Sequence, residues 1–242
     1  MELYKTTLID KQQLAPDIWQ FRFQLDSPPE LNFTPGQYLI LMISDQRRLY
    51  SIASSNSLKD SFSLIVKLLP DGVGSNFLRS LEIDSRAFFQ GPAGFFTLRS
   101  PDKPKMFLSA GTGIAPIRSQ LFSSLEKGEV QAPELFLFWG LKRKADVYLF
   151  DEFNGLSKKC PNFNFWICLD QEENFLGLDV ERFRRGRVDQ VFRSFIKEKR
   201  LKPDQLNGFE YYLCGAREIV ESLNQFLQDL SVNKENIFFD KF

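Results

Sequence analysis

Short apolar runs separated by turn residues fill the first hundred positions. "IWQFRFQL", "QYLILMI", "LYSIA", "FSLIVKLL" and "SRAFFQG" follow one another with "PP", "PG", "PDG" and "GPAG" between them. That spacing predicts an antiparallel barrel or sandwich. One helix is expected within it, at Ser75 to Leu81 ("SNFLRSL"). After "LRSPDKPK" the texture changes. "KMFLSA" precedes the helical "IAPIRSQLFSSLEKG", "ELFLFWG" precedes "DVYLFDEFNGLSKK", "FNFWICL" precedes "RVDQVFRSFIKEK", "YYLCG" precedes "AREIVESLNQFLQDL", and "NIFFDKF" comes last. Strands alternating with amphipathic helices predict a parallel sheet covered by crossover helices. Proline and charge cluster at residues 99–104, so two domains are expected, residues 1–100 and 101–242.

Composition narrows the chemistry. The chain has 31 basic and 31 acidic residues among 242, so no net field draws it to nucleic acid or to an anionic membrane. Its longest apolar runs, such as "YLILMI", fall short of the roughly 18 residues that cross a bilayer. The charged start "MELYKTTLIDKQQ" lacks the apolar core of a signal peptide, which makes a cytoplasmic location the expectation. Histidine is absent, removing the commonest general base and metal ligand. Cys160, Cys168 and Cys214 are too few and too scattered for a four-cysteine metal or cluster site, so no metal is expected. Chemistry must then come from a cofactor or from hydroxyl, thiol and carboxylate groups.

Two glycine turns stand where a parallel sheet binds ligands. "MFLSAGTGIAPIRSQL" places Gly111, Thr112 and Gly113 between a strand and a helix, with Pro116 in the first helical turn. Glycines there let the backbone approach a pyrophosphate near a helix N-terminus. A plain turn of an α/β fold reads the same way. "YYLCGAREIVESL" repeats the arrangement with Cys214 and Gly215, where an inert buried thiol is the ordinary alternative. In the barrel half, "RRLYSIASS" begins as a strand but carries Arg47, Arg48 and then hydroxyl residues, which a strand serving only a core would not need.

Three of these stretches, in this order, resemble the ferredoxin–NADP reductase superfamily of flavin- and pyridine-nucleotide-dependent reductases. "RLYSIAS" is similar to its flavin-binding R-x-Y-S motif, "GTGIAPIR" to its nicotinamide-nucleotide turn and "YLCG" to the strand end beside the nicotinamide. "FTPGQYLIL", "DGVGSNFL", "GPAGFFTL" and the terminal "FFDKF" add weaker matches, so the resemblance spans nearly the whole chain. It implies an N-terminal Greek-key β-barrel that binds FAD and a C-terminal Rossmann-like α/β domain that binds NAD(P)H.

The resemblance also implies roles. Arg48 would pair with the FAD pyrophosphate, a task suited to a planar, permanently charged fork. Tyr50 would stack on the isoalloxazine and Ser51 would bond near flavin N5. Lys67, Gly74 and Ser75 would add phosphate contacts, with Ile52, Val66 and Gly72 completing the flavin set. A surface arginine, a core tyrosine and a capping serine are the plain alternatives. Gly111, Thr112, Gly113 and Gly215 would cradle the dinucleotide, and Cys214 would face the nicotinamide C4, positioning rather than attacking. Asp240 stands where relatives carry Glu and would serve a proton relay, although it is one methylene shorter. Phe242 either covers the flavin face or frays as a chain end.

The implied reaction carries hydride from NADH or NADPH to FAD and then electrons to an acceptor. The chain has no plant-type C-x₄-C-x₂-C run, so the acceptor is expected to be separate: a ferredoxin-like protein, an oxygenase component, free flavin or a small oxidant. A free-flavin reductase and a non-autonomous FAD electron-transfer subunit are the alternatives. Asp170, Glu172 and Glu173 stand where NADP-specific relatives carry a Ser-Arg pair, which favours NADH, whereas Lys142 and Arg143 pull the other way.

Overall fold

The computed structural model describes residues 1–126 and 133–242. The chain divides into two compact units, one holding Met1–Leu98 and the helix that begins near Ala115, the other holding Arg99–Ile114 and the remaining C-terminal residues.

In the first unit, β1 (Glu2–Ala15), β2 (Ile18–Ser27), β3 (Tyr38–Ile43), β4 (Gln46–Ser51) and β5 (Ser61–Lys67) precede helix α1 (Val73–Ser80) and β6 (Arg86–Ala93). The strands form one antiparallel sheet in the order β4-β3-β6-β1-β2-β5. An Ile52–Leu64 bridge joins the chain just past β4 to β5, so the two edges of the sheet meet and the barrel closes. Alternation puts Phe23, Phe62 and Phe89 at its centre, with ring centroids 5.0 to 5.5 Å apart. Edge-to-face contacts of this kind add to the burial term.

The second unit opens with β7 (Lys105–Ala110), after which the chain enters helix α2 (Ile114–Leu125), a member of the first unit from Ala115 on. There follow β8 (Leu135–Leu141), α3 (Phe150–Lys159), β9 (Phe163–Leu169), β10 (Phe183–Arg185), α4 (Val188–Lys199), α5 (Pro203–Leu206), β11 (Glu210–Gly215), α6 (Arg217–Asp229) and β12 (Ile237–Lys241). The sheet is parallel throughout, in the order β10-β9-β8-β7-β11-β12. Its central strands are near-continuous apolar runs because helices cover both faces. The order reverses between β7 and β11, and ligands of open parallel sheets bind at such a reversal, beyond the carboxyl ends of the strands.

Several expected boundaries move. β1 was not singled out as a run: Thr6 occupies an inward slot between Tyr4 and Leu8, its hydroxyl donates to the Ala87 carbonyl at 2.9 Å, and register shifts break the alternation. β4 starts three residues before "LYSIA" and ends at Ser51, because its register with β3 begins at the Ile43–Gln46 pair. α1 starts at Val73 rather than Ser75. The helix expected over "DVYLFDEFNGLSKK" starts only at Phe150, after Leu149 at φ 58° and a buried Tyr148. Neither β10 nor α5 was expected. Lys127 and Gly128 at the end of "IAPIRSQLFSSLEKG" lie outside the described residues.

Candidate functional site

In the barrel unit, β4 alternates Arg48 and Tyr50 on the side of the inward Leu41 and Leu39, and Arg47 and Leu49 on the outer side. Arg48 and Tyr50 meet the start of α1 at Gly74. A methyl group on Gly74 would lie 2.2 Å from Tyr50 Oη and 3.1 Å from Arg48 Cγ, so only glycine admits both side chains there. Burial pushes the Tyr50 phenol up, and the Arg48 charge partly offsets this, so Tyr50 stays a neutral ring at working pH. The Arg48 guanidinium donates to the Arg47 carbonyl and to Gln46 Oε1, both at 2.8 Å.

Helix α1 is capped by Gly72, which offers no side-chain acceptor, and its first turn carries no carboxylate. Asp71 precedes the cap, and a helix start without a side-chain cap attracts an anion. Ser75 Oγ is turned to its own loop, accepting from the Leu69 N–H at 2.9 Å. Ile52 and Val66 are core residues, and the Ile52 N–H is spent on the Gln37 carbonyl at 3.0 Å. Lys67 is exposed at the end of β5, and Ser51 is half-buried at the end of β4. The structure thus gathers Arg48, Tyr50 and Gly74 with the uncapped α1 start, a set that fits a ligand with a flat ring and a pyrophosphate.

In the second unit, the turn after β7 and the end of β11 touch. A methyl group on Gly113 would lie 2.2 Å from the Cys214 carbonyl oxygen, and one on Gly215 would lie 3.1 Å from the Ala110 carbonyl oxygen. Gly111 differs: its φ is +55° and a methyl group would meet nothing within 4 Å among the described residues, so its glycine serves a left-handed backbone on an open side. Cys214 is buried and pairs in register with Asp240 of β12. Burial, helped by the neighbouring Asp240 charge, holds the Cys214 thiol well above its ordinary range, so it is no thiolate nucleophile. Burial also pushes the Asp240 carboxyl up, against a hydrogen bond from the Lys241 backbone. The Phe242 backbone is pinned, its N–H donating to the Gly215 carbonyl at 3.3 Å and its carbonyl accepting from the Arg217 N–H at 3.2 Å, while its ring is 63% exposed.

Of the three carboxylates near the end of β9, Glu172 is taken up by its loop. It accepts from the backbone N–H groups of Lys144 at 2.9 Å and Asn174 at 3.0 Å, and these bonds pull its carboxyl down. Asp170 and Glu173 are exposed. Sequence reasoning missed Trp139 and Tyr148, both of which bond the Gly111 carbonyl. Their signal was a pair of aromatic residues with polar tips inside otherwise apolar stretches, "FLFWG" and "DVYLF".

A closed antiparallel barrel followed by an α/β unit with a parallel sheet is the architecture expected of the two-domain flavin- and nucleotide-dependent reductases. Residues 5–98 match the family model of an oxidoreductase FAD-binding domain, and residues 107–225 that of an oxidoreductase NAD-binding domain. The chain is 30% identical to the toluate 1,2-dioxygenase electron transfer component of Pseudomonas putida, over 99% of this chain and 67% of that one. It is 29% identical to the 2-halobenzoate 1,2-dioxygenase electron transfer component of Burkholderia cepacia, over 92% of this chain and 62% of that one. The Amycolatopsis cytochrome P450 reductase GcoB shares the fold with a TM-score of 0.85 at 24% identity, over 100% of this chain and 70% of that one. The chain belongs to the ferredoxin–NADP reductase superfamily, the NAD(P)H-dependent flavoprotein reductases, with FAD as cofactor and NAD(P)H as co-substrate. The chain spans about two thirds of the length of these two curated relatives, 67% and 62%.

Proposed function

We propose that this chain is the reductase of a multicomponent oxygenase system, passing electrons from NADH through FAD to a separate ferredoxin-like protein or oxygenase component in the cytoplasm. Residues 1–100 hold the FAD and residues 101–242 the nicotinamide nucleotide. The observation that carries this is an α1 start without a side-chain cap beside Arg48 and Tyr50 in one unit, and an open-sided Gly111 turn at the strand reversal in the other. Electron transfer components of dioxygenases among the relatives support the class of acceptor.

Bound FAD supplies the hydride-accepting and electron-splitting chemistry, and the protein supplies orientation and shielding. Arg48 would hold its phosphates and Tyr50 its ring, with Ile52, Val66, Lys67, Gly72, Gly74 and Ser75 forming the surroundings. Ser51 would donate a hydrogen bond to the flavin. Gly111, Thr112 and Gly113 hold the dinucleotide pyrophosphate with Gly215 beside them. Cys214, a neutral thiol, sets the nicotinamide position. Asp240 holds a proton more readily than an ordinary carboxyl and so suits a relay. Exposed carboxylates at Asp170 and Glu173 disfavour a 2′-phosphate, which supports NADH.

The acceptor is tested by measuring NADH-driven turnover with a [2Fe–2S] ferredoxin and with free FMN, after gel filtration of the FAD-loaded protein. The expected outcome is that FAD stays with the protein and that the ferredoxin supports the faster turnover. Loss of flavin on the column, with faster turnover on FMN, would instead establish a free-flavin reductase.

A further inference from the structure

The Gly111 carbonyl oxygen is held from three sides. The Ile114 N–H closes the turn onto it, Trp139 Nε1–H donates to it at 2.9 Å, and the Tyr148 hydroxyl donates to it at 3.1 Å. The two aromatic donors are buried, at 0% and 5% exposure, and they brace each other edge to face with ring centroids 4.7 Å apart. Trp139 arrives from the end of β8 and Tyr148 from the segment before α3, so two further elements of the unit converge on one backbone oxygen. Ordinary turn closure needs only the first of these bonds.

Peptide geometry gives the arrangement a consequence. The carbonyl of Gly111 and the N–H of Thr112 belong to the same planar trans peptide and point in opposite directions. Fixing the oxygen toward Trp139 and Tyr148 therefore fixes the Thr112 N–H away from them. A flip of this peptide, a counter-rotation of ψ at Gly111 and φ at Thr112, would turn the oxygen's negative end outward. It would also leave the buried indole N–H and phenol without their acceptor, a cost the fold resists.

We propose that Trp139 and Tyr148 are positioning residues for the nicotinamide dinucleotide, locking the Gly111–Thr112 peptide so that its N–H is presented to the pyrophosphate. Neither side chain touches the nucleotide. The inference rests on reading the Gly111–Gly113 turn as the pyrophosphate site. Burial pushes the Tyr148 phenol up, so it remains a donor across the working pH range.

The test is calorimetric titration of the FAD-loaded protein with ADP-ribose, which carries the pyrophosphate without the reacting ring, for wild type, Tyr148→Phe and Trp139→Phe. Thermal unfolding and flavin content are recorded alongside. Tyr148→Phe removes one oxygen and is expected to weaken ADP-ribose binding about fivefold to tenfold, the scale of one neutral hydrogen bond. Its KM for NADH should rise by a similar factor with kcat within twofold, and flavin content and Tm should stay near wild type. Trp139→Phe should do the same, and if it folds poorly Tyr148→Phe still decides. Unchanged ADP-ribose affinity in a folded Tyr148→Phe protein would overturn the positioning role. So would a loss of affinity that only tracks a fall in Tm. Failure of the wild-type protein to bind ADP-ribose would instead overturn the pyrophosphate reading itself, and this inference with it.

Discussion

Single positions in this chain do their work through what surrounds them. Arg47 and Arg48 are neighbours in sequence, yet strand alternation sends one to the outer face of the barrel and the other to the Tyr50–Gly74 corner. Gly111 and Gly113 share a motif but for different reasons: one supplies a left-handed φ and the other clearance for the Cys214 carbonyl. Asp240 shows the same dependence in its protonation. A carboxyl raised by burial favours the folded state while protonated, so its contribution is present below its unfolded pKa and is lost as pH rises through the folded one. At neutral pH the charge is therefore a burden. Asp240→Asn is expected to raise the Tm at pH 7, with the gain shrinking toward about pH 4, near the ordinary carboxyl value. Thermal unfolding across that range checks it, and a gain of equal size at both ends would contradict the burial argument.

At the scale of elements, the start of the second unit is tied down by a buried network. Glu210 of β11 accepts from the Tyr212 hydroxyl at 2.8 Å and the Ser100 N–H at 3.1 Å, and Lys105 of β7 faces it at 3.7 Å. Lys105 in turn donates to the carbonyls of Ser100 and Lys103 at 2.6 and 2.7 Å. Burial alone would push the Glu210 carboxyl up, but the bonds from Tyr212 and Ser100 and the Lys105 charge outweigh it, and the net shift is downward. This stabilisation is present above the ordinary carboxyl pKa and fades as pH falls through the lowered one. Glu210→Gln leaves a buried ammonium without its counter-charge and should cost about 3 kcal/mol or more in urea unfolding. The paired change to Lys105→Met and Glu210→Met should recover most of that, and an equal loss in both proteins would show that the ion pair is not the reason.

Elements also mark how far the sequence could be read. Runs such as "ELFLFWG" and "YYLCG" were legible because both faces of a parallel strand are buried and the apolar signal is unbroken. β1 was not, because a hydroxyl that finds a partner inside the barrel looks like a surface residue on paper. The glycine turns and "RLYSIAS" were legible as motifs. The Trp139–Tyr148 clasp was not, since its members are 28 and 37 residues from Gly111 and meet it only through the fold. Asp170, Glu172 and Glu173 looked alike as carboxylates, and only the structure separates Glu172, spent on backbone N–H groups, from the other two.

Across the whole molecule, the Gly72–Gly74 and Gly111–Gly113 glycine turns lie in two separate units, and the matched oxidoreductase domains cover residues 5–98 and 107–225. One unit also takes the helix that follows the glycine turn of the other. Within that unit, Arg118 of α2 donates to the Ala53 carbonyl at 2.7 Å, and Ser123 Oγ accepts from the Asn56 N–H at 3.0 Å. The central claim is that this one chain takes hydride from NADH onto an FAD that it holds itself. The most direct test is the visible spectrum of the purified, FAD-incubated and desalted protein, titrated with NADH under anaerobic conditions and, separately, with NADPH. The expected result is a yellow protein whose flavin band is bleached by stoichiometric NADH, and faster than by NADPH. A protein that stays colourless after incubation with FAD, or a yellow one that neither nucleotide bleaches, would contradict it.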